Sequence, residues 1–73
     1  MKIIEADHAR CAAAMWNAQA DAATTAAGMM ARLAFPASMY DAAIDVANRA
    51  RAIATRLEEW ARHLDNMGRR AQS

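Results

Sequence analysis

Leu33-Ala34-Phe35-Pro36-Ala37-Ser38-Met39-Tyr40-Asp41 divides the chain into two segments whose apolar residues recur at helical spacing. Pro36 has no N–H to donate and disfavours helical geometry in the residue before it, so a first helix is expected to end near Ala34. Ser38 and Asp41 have the S-x-x-[DE] spacing of a capping box, which predicts a second helix from Met39. Gly68 is placed to take the left-handed position after its last residue, Met67. Working back from the connector, the first helix reaches to about Ile4. The expected elements are therefore residues 4–34 and 39–67, each about 40–45 Å long at 1.5 Å per residue. A short connector between helices of matched length means an antiparallel all-α hairpin. Thr24-Thr25-Ala26-Ala27-Gly28 is the weakest helical stretch, open to a kink or fraying.

The second helix carries an unbroken 3-4 repeat: Met39, Ala43, Val46, Ala50, Ile53, Leu57, Trp60, Leu64, Met67. These are heptad a and d positions, and the adjoining e positions 47, 54 and 61 are all Ala. Asp45/Arg49, Glu58/Arg62 and Asp65/Arg69 stand as acid-before-base pairs four apart on the outer face. The first helix has two apolar stripes. One reads Ile4, His8, Cys11, Met15, Ala18, Ala22, Thr25, Met29; the other reads Ala6, Ala9, Ala13, Trp16, Ala20, Ala23, Ala27, Met30, Ala34.

Folding about Pro36 sets the first stripe against the second helix. Cys11 then faces Trp60, Ala18 faces Ile53 and Met29 faces Ala43, with Asp21 meeting Arg49 and Asp7 meeting His63 at the edges. Small opposes large, and no like charges collide. The second stripe is left without an intrachain partner, so Trp16, Ala20, Ala23, Ala27 and Met30 are expected to form a homodimer interface. Two hairpins joined there make a four-helix bundle.

Composition agrees with this plan. Of 73 residues, 22 are Ala, and 56% are apolar. A single domain of this length buries little surface alone. Two Gly and one Pro exclude a turn-rich β fold. One cysteine, Cys11, excludes an intrachain disulfide and points to a reducing, cytoplasmic setting. No apolar run reaches membrane-spanning length, and the start lacks the h-region of a signal peptide. A net charge of +1 is far from that of a dedicated nucleic-acid binder.

The chemistry-bearing residues are few. His8, Cys11 and Met15 share one helix face, and the hairpin brings His63 towards them; as consecutive apolar-stripe positions they read as packing residues. Neither a metal nor another cofactor is expected, and nothing assembles an enzyme's oxyanion hole or pocket. Arg49, Arg56, His63 and Arg70 recur every seven residues as a ridge. In size and plan alone the chain resembles Rop, the small RNA-binding plasmid protein whose two-helix hairpins pair into a bundle. That likeness implies the alternative function, an RNA- or DNA-binding regulator using the ridge. The small hairpins of type VII secretion differ: they carry Trp-x-Gly at the turn and Tyr-x-x-x-Asp/Glu. Here Trp16-Asn17-Ala18 lies within a helix, and Ile44 stands four residues after Tyr40.

The expected function is a non-enzymatic, self-associating protein-binding module that inhibits or adapts a larger protein. Small anti-host factors of phages and mobile elements, anti-CRISPR and anti-activator proteins among them, are of this scale. Arg49, Arg56, Phe35 and Tyr40 are the expected contacts for the larger partner, since Arg and aromatic residues dominate interface energetics.

Overall fold

The computed structural model describes residues 6–72 and, within them, the side chains of residues 6–68. Two helices, α1 (Ala6–Arg32) and α2 (Ala37–Gln72), pack against each other as an antiparallel hairpin. Ile4 and the expected start of the first helix lie outside the described residues. The hairpin measures 58 × 17 × 13 Å. Among the described residues no helix is long and apolar enough to cross a membrane.

Among the described residues α1 has 27 residues and α2 has 36. At the near end, α2 begins at Ala37 rather than Met39. The Pro36 carbonyl accepts from the Met39 N–H at 3.0 Å and the Tyr40 N–H at 3.4 Å, opening the helix early. Ser38 therefore sits inside the first turn, and the expected capping box with Asp41 does not form among the described residues. At the far end, α2 runs through Gly68, which does not take a positive φ. The stretch around Gly28 is also continuous helix. The Thr24 hydroxyl donates to the Ala20 carbonyl at 2.9 Å, keeping its polar group satisfied within the turn.

The left-handed position falls instead on Ala34, at φ 60°. The Phe35 N–H donates to the Met30 carbonyl at 3.0 Å, and the Ala34 N–H donates to that of Ala31 at 3.3 Å. Together these bonds form a Schellman cap. An L-residue with a Cβ pays steric strain there that glycine avoids. Ala34→Gly is accordingly expected to stabilise the hairpin by about 1 kcal/mol, seen as a higher urea midpoint with an unchanged m-value.

The interior is a line of alanines: Ala9, Ala13, Ala20 and Ala27 from α1, and Ala47, Ala50, Ala54 and Ala61 from α2. Among the described residues no large side chain is fully buried. Both helices thus turn differently from the sequence expectation. On α1, the contact is made by the alanine stripe assigned to a second chain; Cys11, Met15, Ala18, Ala22 and Met29 point outward. On α2, the e-position alanines occupy the centre, the a positions Ala43, Leu57 and Leu64 are half-buried, and the d positions are exposed. Two helices touch along one narrow line, and close approach there favours the smallest side chains. Large residues pack better beside that line than on it.

Candidate interaction surface

Residues three or four apart share a side of a helix, so each alanine line has two flanks. On α1, one flank carries Arg10, Asn17 and Thr24, with Asp7 and Asp21 beside it. The other flank carries Ala9, Trp16, Ala23 and Met30, followed outward by Ala12, Gln19, Ala26 and Leu33. On α2, one flank carries Ile44, Arg51, Glu58 and Asp65. The opposite flank carries Ala43, Ala50, Leu57 and Leu64, with Met39, Val46, Ile53, Trp60 and Met67 beyond.

Ion pairs show which flanks lie together. Arg51 reaches Asp21 at 2.6 Å, and Arg10 reaches Asp65, both across the hairpin. The two polar flanks therefore share one side, and the two apolar flanks share the other. Each pair is exposed and contributes about 0.2–1 kcal/mol, more to register than to stability. The expected partners change with the turn of the helices. Asp21 meets Arg51 rather than Arg49, and Asp7 pairs with Arg10 at 3.4 Å rather than with His63. Asp65 is engaged by Arg10; the expected Arg69 side chain lies outside the described residues. Asp45 and Arg49 do pair, at 3.1 Å, whereas Glu58 and Arg62 do not.

The apolar side is a continuous exposed surface. Val46 is 55% exposed, Trp60 44% and Met67 52%, and Met39 and Ile53 are also open to solvent. These five recur every seven residues and form a tall ridge along α2. The α1 half is lower, mainly alanine, with Trp16, Met30 and Leu33 as its larger features. A groove beside Trp16 is lined by Ala12, Met15 and Gln19. Of the five residues expected to meet a second chain, Trp16, Ala23 and Met30 border this surface. Ala20 and Ala27 do not: they are 0% and 1% exposed, closed off by the chain's own α2.

The α2 ridge escaped the sequence reading, which put those residues inside. The available signal was their strict seven-residue recurrence beside three alanines, which offers a narrower contact line than the a/d pattern does. Phe35 and Tyr40 are exposed at the turn, and Arg49 and Arg56 are exposed on α2. The Trp60 and His63 rings lie 5.2 Å apart, tilted by 32°, so His63 lies against Trp60. His8 and Cys11 are exposed. Among the described residues, no three of His, Cys, Asp and Glu gather in a metal-binding arrangement.

Set beside known proteins, the chain matches no protein family, no curated relative and no solved structure.

Proposed function

We propose that this chain is a non-enzymatic protein-binding module that pairs with a second copy through its apolar side. The resulting four-helix bundle would act as an inhibitor or adaptor of a larger protein. One observation carries the reading: the bulky apolar residues of α2 stand exposed in a row, while among the described residues only alanines are buried. A continuous apolar surface rimmed by charge is the mark of an interaction site.

Area supports a partner of similar size. The chain exposes 5684 Å², whereas a compact globule of its mass exposes about 4,400 Å². The excess, about 1,300 Å², exceeds the roughly 800 Å² that each partner buries in a standard interface. After pairing, the turn remains open at the bundle's end. Phe35 and Tyr40, with Arg49 and Arg56 along the outer side of α2, are the surface offered to the larger protein.

Sedimentation across a wide concentration range tests the pairing. A mass near twice 7.9 kDa at micromolar concentration, falling on dilution, is the expected result. A single-chain mass throughout would remove the self-association. Tight binding to RNA or DNA that weakens steeply with salt would replace the protein-binding reading with the phosphate-binding one.

A further inference from the structure

We infer that the two copies join with α2 of each lying over α1 of the other, both turns at the same end of the bundle. This rests on the self-association proposed above and specifies its geometry. Two antiparallel arrangements are open to a pair of hairpins stacked on one face. A two-fold axis parallel to the helices places α2 over the partner's α1. An axis perpendicular to the helices, in the plane of the interface, places α2 over the partner's α2 and the turns at opposite ends.

The shape of the apolar side chooses between them. It slopes, tall along the Val46, Ile53 and Trp60 ridge and low along Ala12, Ala23 and Ala26. Stacking ridge on ridge would hold the two alanine halves apart and leave a gap between them. Such a gap forfeits dispersion contacts that a close-packed interface keeps. Stacking ridge on slope fills it.

Levels along the bundle agree. The Asp21–Arg51 and Arg10–Asp65 pairs set Trp16 level with residues 56–59 of its own α2. An axis parallel to the helices preserves level. Trp16 therefore falls between Ile53 and Trp60 of the second copy, and Met30 falls between Met39 and Val46. Conversely, Trp60 comes over Ala12 and Val46 over Ala26. Trp16 and Met30 enter gaps in the opposing ridge, Trp60 and Val46 meet alanine, and Leu33 comes level with Met39 beside the turn. Ile53 comes level with Gln19, the one polar side chain on the α1 half among the described residues.

Distance measurement between spin labels tests the arrangement. The full chain carries Cys11→Ala, to remove the exposed native thiol, and Ser38→Cys at the exposed start of α2 for a nitroxide. Turns at the same end give an inter-label distance within about 30 Å, from interaxial spacings of 8–10 Å plus the label arms. Turns at opposite ends give roughly 45 Å, from the 1.5 Å rise per residue along the hairpin. The short distance, in a sample sedimenting as a dimer, is the expected result. The long distance would overturn the arrangement and leave self-association standing. A monomer without dipolar modulation would overturn both.

Discussion

Ala20→Leu is expected to destabilise the hairpin by about 2–3 kcal/mol, although it adds apolar surface at a buried site. Ala20 is 0% exposed and lies on the line where the helices approach. A leucine there forces the helix axes apart, and the neighbouring contacts at Ala13, Ala27, Ala47 and Ala54 open with them. Ala18→Leu and Ala22→Leu, on the outward side of the same helix, are expected to change stability by no more than about 0.5 kcal/mol. Urea unfolding followed by helical circular dichroism, at one fixed protein concentration, measures all three. The comparison bears directly on the direction α1 faces. If Ala18→Leu were the damaging change and Ala20→Leu the harmless one, the outward stripe would be the core.

Ile53→Asp is expected to abolish self-association, weakening it at least 100-fold. Ile53 stands at the centre of the α2 ridge, and a two-fold contact would bury the introduced carboxylate twice. An unpaired charge removed from water costs several kcal/mol, and each 1.4 kcal/mol is tenfold in affinity. Sedimentation should report a single chain at concentrations where the parent protein is paired. The thermal midpoint should fall and lose its dependence on protein concentration. Thr55→Asp supplies the control: it adds the same charge two residues away, on the polar side of α2, and should leave pairing intact. Equal effects from the two variants would point to a general charge effect rather than a contact at the ridge.

The hairpin was legible in the sequence because its signals are local. Pro36 lacks a donor, Phe35-Pro36 interrupts two periodic runs, and both runs are rich in helix formers. The exact ends were less legible because capping signals compete. Ser38 offered a start, but the Pro36 carbonyl already serves the first turn; Gly68 offered a stop, but glycine is also tolerated inside a helix. The facing of the helices was not legible. Periodicity reveals that α1 has two apolar stripes, but an alanine row and a Cys11/Met15/Met29 row share the same period. Preference for large residues inside chooses the wrong one. In a contact between only two helices, how closely their backbones approach decides, and that favours the methyl groups of Ala13, Ala20 and Ala27. The same error of rotation explains Asp21: Arg51 shares a side with Ala47 and Ala54, four and three residues away, and Arg49 does not. The presence of an apolar surface without an intrachain partner was readable, while its location required knowing which side had been used.

An interior of eight methyl groups has a consequence for dosage. Each contributes about 0.8 kcal/mol on burial, little against the entropy of ordering two long helices. If the hairpins pair as proposed, association supplies the remaining stability, and the folded fraction would then depend on how much of the chain is made. Dilute copies would then be open to proteolysis and cleared, while copies above a threshold would protect one another. Supply itself would act as the switch, with a response steeper than linear in expression.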